Sequence, residues 1–211
     1  MKFKYYFLFF VILCFLIFSV RYVTFAISKE QVSFTVKKEV KHKISIDMPR
    51  ESHERLNGIL ESKINEFRES FLQLVKESDS SFGVVYTLDI TYQRYVYDQH
   101  ISYCFVISTY TGGAHSNTTF FTIVYDIEEE ILLDLSDYNL EVISKNVRRN
   151  LIMNPRIVRT DFMMSGTEPT AQNFQYFVFV EDGILFFFPP YQVGPYSSGT
   201  FESLVPWEML L

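Results

Sequence analysis

The sequence predicts an α+β fold, in which two small antiparallel sheets each pack with one main helix, preceded by an N-terminal apolar helix. Three observations lead there. Aromatic residues make up 18% of the 211 residues, with 22 Phe and 14 Tyr against a single Trp, a density that suits pleated, half-buried surfaces better than helical bundles. Segments of alternating or β-branched character recur with short turn signals between them, and two stretches instead carry apolar residues at helical spacing. At 48% hydrophobic and 21% charged, the chain can bury a sizeable core, and a disordered or collagen-like polymer is excluded. The two cysteines, Cys14 and Cys104, cannot build a disulfide framework or a four-thiolate zinc site, so the fold must hold by burial.

The first element is Tyr5 to Val20, an uncharged apolar run behind Lys2 and Lys4. Sixteen residues in a helix span about 24 Å, short of the ~30 Å hydrocarbon layer, although Arg21 could snorkel and Tyr22 to Ile27 could extend the span. Residues 1–27 therefore read as a signal peptide, cleaved between Ala26 and Ile27, or as a retained transmembrane anchor. Either places the basic end in the cytosol and the rest outside it, in a membrane-anchored or a periplasmic or extracellular form. Without the three basic residues of the leader, sixteen basic residues face 25 acidic ones, a formal balance of −9. That disfavours nucleic acid and anionic lipid as partners and suits a cationic one.

One or two exposed strands are expected over Val32–Val36 and Ile44–Ile46, with Lys37, Lys38, Lys41 and Lys43 guarding the edge. From about Ser52 to Lys76, Leu56, Ile59, Leu60, Ile64, Phe67, Phe71, Leu74 and Val75 share one helical face. Val84–Tyr97 and Ile101–Tyr110 read as strands joined at Asp98-Gln99-His100. Thr118–Asp126 and Ile131–Leu133 pair around Glu128-Glu129-Glu130, and a second helix follows near Leu140–Leu151. Phe174–Val180 and Ile184–Phe188 flank the Glu181-Asp182-Gly183 turn. The order suggests two related halves, residues 28–117 and 118–211.

No chemistry of catalysis or metal binding stands out. His42, His53, His100 and His115 are scattered, with none at a spacing that converges on a metal. His115 and Ser116 are sequence neighbours whose side chains diverge in an extended chain, so they make no nucleophilic pair. Gly112 and Gly113 instead allow a sharp turn or a close backbone approach. Phe186 to Thr200 runs from a buried-looking strand into three prolines and two tyrosines. Such a loop is stiff, and Tyr191 and Tyr196 can offer contact area at low entropic cost or pack inward as a structural corner.

Several of these stretches together resemble a known family. They are Tyr110-Thr-Gly-Gly-Ala-His-Ser-Asn-Thr118, the strand and turn up to Asp134-Leu135, Gly166-Thr-Glu-Pro-Thr-Ala-Gln-Asn-Phe174, and Phe188-Pro-Pro-Tyr-Gln-Val-Gly-Pro-Tyr-Ser-Ser-Gly199, closing at Val205-Pro206. They resemble the extracytoplasmic domain of RsiV-like anti-sigma factors, a module also found beside polysaccharide deacetylases of the PdaC type and in other bacterial envelope proteins. The resemblance implies a paired α+β ectodomain, PdaC- or RsiV-like over residues 28–117 and RsiV-like over 118–211. In the anti-sigma relatives this module binds lysozyme, with the proline–tyrosine loop in the contact region. Carried over, the candidate binding residues are Tyr110, Gly112, Gly113, His115, Asn117, Pro190, Tyr191, Pro195 and Tyr196. Only Met1 to Lys4 precede the apolar run and no deacetylase domain follows Leu211, so neither sigma-factor signalling nor deacetylation is expected.

The expected protein is thus a non-enzymatic envelope binding module without metal or cofactor, exported across the bacterial inner membrane. Its partner would be a lysozyme-like protein or another cationic ligand, or alternatively cell-wall peptidoglycan, with the membrane reached through the leader and nucleic acid excluded. A hydrolase would instead need perturbed carboxylates or His115 lying in one cleft.

Overall fold

The computed structural model describes residues 30–34, 42–77, 84–157 and 159–210, with side chains from His42 onward. The apolar leader and the lysines at 37, 38 and 41 lie outside the described residues. Strands β1 (Glu30–Phe34) and β2 (His42–Met48) precede helix α1 (Glu54–Glu77). Strands β3 (Tyr86–Tyr97), β4 (His100–Tyr110), β5 (Asn117–Asp126) and β6 (Ile131–Leu132) follow. Helices α2 (Leu140–Ile152) and α3 (Thr160–Gly166) then lead to β7 (Phe177–Val180), β8 (Gly183–Phe188) and β9 (Phe201–Pro206). The first six strands form one sheet in chain order and the last three form a second.

Helix α1 buries Leu56, Leu60, Ile64 and Phe71, a stripe at helical spacing, against Ile44, Leu88, Ile90, Tyr103, Phe105 and Tyr125 of the large sheet. The opposite face of that sheet carries Cys104 and Phe120, which pack with Val178 and Phe187 of the small sheet. On its other side the small sheet turns Phe177, Phe179, Ile184, Phe186, Phe188 and Val205 toward Ile143, Val147 and Leu151 of α2. Alternation along each strand thus separates two faces, and the layers stack as helix, sheet, sheet, helix.

Each sheet packs with one main helix, as the sequence leads one to expect, with departures in detail. The pair β2–β3 is parallel whereas every other pair is antiparallel. Helix α1 intervenes as a crossover and returns the chain in its original direction, which a hairpin cannot do. Strand β2 therefore lies inside the sheet, and β1 forms its edge. Strand β9 was not expected. Its Phe201, Ser203 and Val205 are buried in alternation, but its partner β8 lies across the proline-rich loop, so pairing depends on a non-local approach. The short helix α3 was likewise unforeseen, and Phe174 packs in the core ahead of β7 rather than in a strand. The point between residues 117 and 118 falls at the start of β5, which pairs with β4 in the large sheet.

Local chemistry sets the ends of the elements. The Asn139 side chain caps α2 by accepting from the backbone N–H of Glu141 at 2.9 Å and of Val142 at 3.4 Å. Asp98 adopts φ +51° in the β3–β4 turn, a conformation Asp tolerates better than most residues. After β5, the Asp126 carboxylate accepts from the N–H groups of Glu128 at 2.8 Å and Glu129 at 3.0 Å, and it lies 3.5 Å from His100 Nε2. Those contacts, the Glu129 N–H foremost, hold its carboxyl below the ordinary carboxylate range although burial acts the other way.

Two outcomes follow. Phe105, fully buried and ringed by Tyr92, Tyr103 and Phe121, should cost ~3–5 kcal/mol of unfolding free energy when replaced by Ala, read from urea midpoints beside the exposed control Val96→Thr. A lowered native pKa makes the Asp126 stabilisation complete above about pH 4 and progressively lost as pH falls through the native value. In Asp126→Asn, the fall in urea midpoint between neutral and acid pH should be shallower than in the parent chain.

Candidate functional site

Both sheets end on the same side of the molecule in the two loops singled out from the sequence. The β4–β5 connection turns at Gly112, whose φ is +89°, where an added Cβ would lie 3.1 Å from Val84 Cγ1. Gly113 has no such constraint, with no atom nearer than 3.8 Å to its added Cβ. Beyond them, the His115 ring lies flat on that of Tyr196, with centroids 3.5 Å apart and planes at 17°. Tyr196 Oη donates to the Ser116 carbonyl at 2.9 Å, and His115 Nδ1 lies 3.1 Å from the same oxygen. A carbonyl oxygen only accepts, so this contact places the imidazole proton on Nδ1. Loops 80 residues apart are thereby joined by a ring stack and a shared acceptor.

Tyr191 extends the stack, its ring 5.7 Å from that of Tyr196 and tilted by 39°. It is 56% exposed and sits at φ +72°, a region that bulky residues avoid. The turn is closed by Gln192 N–H donating to the Pro189 carbonyl at 3.2 Å. With Pro190 second and Tyr191 third, this turn has tyrosine where glycine or asparagine is the usual choice. Such strain costs on the order of 1–3 kcal/mol and persists only where the surroundings impose it. Here they do. Gln192 Nε2 donates to the carbonyls of Gly166 at 2.9 Å and Asn173 at 2.8 Å. Gly166 lets the loop approach so closely that a Cβ there would stand 1.9 Å from the Gln192 oxygen. Val193 and Gly194 are buried behind the turn, so its root is fixed while the Tyr191 ring faces solvent.

The structure therefore joins His115, Tyr191 and Tyr196 into one ring platform, framed by half-buried Pro190 and Pro195 and supported by the Gly112 turn. Tyr110 is the last residue of β4, and Asn117 begins β5 beside a cleft of about 330 Å³ between α1 and the large sheet. Phe67, Phe71, Leu74, Leu88 and Ile107 line that cleft, with Thr and Ser hydroxyls at its walls and no acid or histidine among its described lining residues. His115 itself meets a carbonyl and a ring. Among the described residues, no three or more His, Cys, Asp or Glu side chains gather as metal ligands. No helix among the described residues is long and apolar enough to cross a membrane.

Sequence reasoning missed one buried polar cluster. Glu51, ahead of α1, accepts from Arg94 Nε at 2.5 Å and Arg94 Nη2 at 3.3 Å, and from the Tyr103 hydroxyl. Burial first, and then the Glu51 carboxylate, push the Tyr103 phenol above its ordinary range. Arg94 and Tyr103 are cross-strand partners, but Glu51 lies 43 residues before Arg94. The register of β3 on β4 sets Arg94 against Tyr103, and the parallel pairing of β2 on β3 brings Glu51, just beyond β2, to both. Its bonds tie the β2–α1 connection to the sheet, and along β4 Tyr103 stands about 24 Å from Tyr110 at the strand's far end.

Residues 132–208 match the family model described as a protein of unknown function, DUF3298. Two solved structures are similar in fold. One, a DUF3298-family protein of Bacteroides fragilis NCTC 9343, is 18% identical over 86% of this chain and 90% of that one, with a TM-score of 0.56. The other, a DUF3298-family protein of Pseudomonas aeruginosa PAO1, is 15% identical over 87% and 92%, with a TM-score of 0.58. No curated protein matches the chain. The likeness to the family model is confined to residues 132–208, and the chain as a whole shares the fold of these two solved structures. These likenesses do not bear on RsiV-like or PdaC-type relatives in particular.

The strain at residue 191 and the turn at residue 112 predict opposite signs. Tyr191→Asn should stabilise the fold by about 1 kcal/mol, because asparagine tolerates positive φ. Gly112→Ala should destabilise it by at least ~1 kcal/mol while Gly113→Ala changes little, all measured by thermal and urea unfolding.

Proposed function

We propose that this chain is a non-enzymatic binding module of the bacterial envelope, and that the His115–Tyr196–Tyr191 platform receives a cell-wall glycan. The observation that carries the reading is Tyr191: its ring is held toward solvent on a strained backbone, beside two stacked rings drawn from a distant loop. Exposed rings with polar tips suit a ligand that offers an apolar face and hydroxyls together, as a sugar ring does. Rigid loop roots lower the entropy lost on binding.

Local charge favours the glycan over a cationic protein. The charged side chain hydrogen-bonded to the Tyr196–Ser198 turn is Arg156, whose Nη1 donates to the carbonyls of Ser198 at 3.1 Å and Thr200 at 3.0 Å. No carboxylate is bonded to the platform among the described residues. Capture of lysozyme is the second reading, supported by the −9 balance and by the family resemblance, since an acidic module steers a cationic protein toward itself.

Co-sedimentation of the full chain with purified peptidoglycan tests the first reading. Tyr196→Ala should weaken binding about fivefold to tenfold, the worth of one ring stack, without loss of the folded state by circular dichroism. Peptidoglycan binding that is absent or indifferent to Tyr196→Ala and His115→Ala rejects it. Heat on mixing with lysozyme that disappears in the same variants would transfer the platform to the second reading.

A further inference from the structure

We propose that the outer face of α2 and the turn beyond it dock on an anionic membrane surface and set the orientation of the domain there. This goes beyond the ring platform and reverses, for one face, what net charge alone suggests. Between Lys145 and Arg159 the chain carries Lys145, Arg148, Arg149, Arg156 and Arg159 and no acidic residue. On α2, Lys145, Arg148, Arg149 and Ile152 are spaced i, i+3, i+4 and i+7, one stripe opposite the buried Ile143, Val147 and Leu151. The stripe ends in two outward apolar side chains, Ile152 at 58% and Met153 at 81% exposure.

The cations on this face keep their charge available. Arg148 donates to the Thr167 hydroxyl and the Met164 carbonyl, and Arg156 donates to two carbonyls while lying 4.4 Å over the Phe201 ring, so their partners are neutral. Lys145 and Arg149 are exposed and join no ion pair among the described residues. Arg159 is neutralised by Asp161 at 2.6 Å, and Glu141 shares the stripe one turn before Lys145, at the end remote from Met153. What remains is a cationic ridge tipped by Ile152 and Met153.

That combination fits a bilayer surface. Lys and Arg near anionic headgroups each contribute electrostatic attraction, and apolar side chains at the tip enter the headgroup boundary, which a dissolved anionic polymer does not offer. Where the apolar run Tyr5–Val20 tethers the chain, even weak docking is favoured by high local concentration.

The test uses the full chain carrying Cys14→Ser and Met153→Cys, labelled at position 153 with an environment-sensitive fluorophore. Cys104 stays unlabelled because it is buried, which also pushes its thiol up to about 12. Label emission is followed on vesicles of phosphatidylcholine alone or mixed with phosphatidylglycerol. The expected result is a blue shift on the mixed vesicles, suppressed by salt. Partitioning should fall about fivefold in each of Lys145→Ser and Arg149→Ser, exposed sites whose replacement leaves the fold intact, and remain unchanged in Tyr196→Ala. No shift, an equal shift on phosphatidylcholine alone, or indifference to the two serine variants overturns the proposal. Calorimetric binding of soluble polyphosphate without a vesicle shift also overturns it and assigns the ridge to a dissolved anionic polymer.

Discussion

The seam between the two sheets governs the rest of the molecule. Cys104 and Phe120 on one side meet Val178 and Phe187 on the other, and the Ser102 hydroxyl accepts from the Phe179 N–H at 3.2 Å within it. Further along, the Phe177 N–H reaches the Thr122 hydroxyl at 3.1 Å. An apolar contact with a few directed bonds is hard to slide, because a one-residue slip would turn each strand's side chains to the wrong face. Once β7 and β8 are set on β4 and β5, the loops at their ends have little choice of position. The His115–Tyr196 stack is a consequence of that seam as much as of the loops.

The same geometry explains why strain can be tolerated at Tyr191. Its loop is gripped from below by Gln192, Gly166 and Asn173 and behind by buried Val193, so the unfavourable backbone angle is imposed by contacts that do not involve the tyrosine ring. Stability is given up at one exposed position whose ring serves no core. In contrast, the Glu51–Arg94–Tyr103 cluster is bonded within itself and buried at the carboxylate, which suits fixing a connection rather than receiving a ligand. Charge is distributed in the same spirit: the domain is acidic as a whole, whereas α2 gathers cations on one face.

Much of the fold was legible because its signals are local. The stripe Leu56, Leu60, Ile64 and Phe71 marks α1, and the turns at Asp98 and Gly183 mark their hairpins. What escaped were the features that depend on distant partners. The parallel β2–β3 pair needs the crossover of α1, and β9 needs β8 across a loop full of prolines. Glu51 needs a strand register to find Arg94. Of the site, the residue types in both loops were legible; the register that stacks one on the other was not, nor was the cationic ridge, which overall charge concealed.

By itself, the amino-acid sequence determined the class of fold, its two main helices, most of its strands and the positions of the two glycine- and proline-rich loops, because periodicity and turn chemistry act over a few residues. Only the tertiary structure decided that the sheets pack face to face, that His115 lies on Tyr196, and that Tyr191 is held outward under strain. Those outcomes belong to contacts between residues tens of positions apart, whose proximity arises from packing two surfaces together and is written in no single segment.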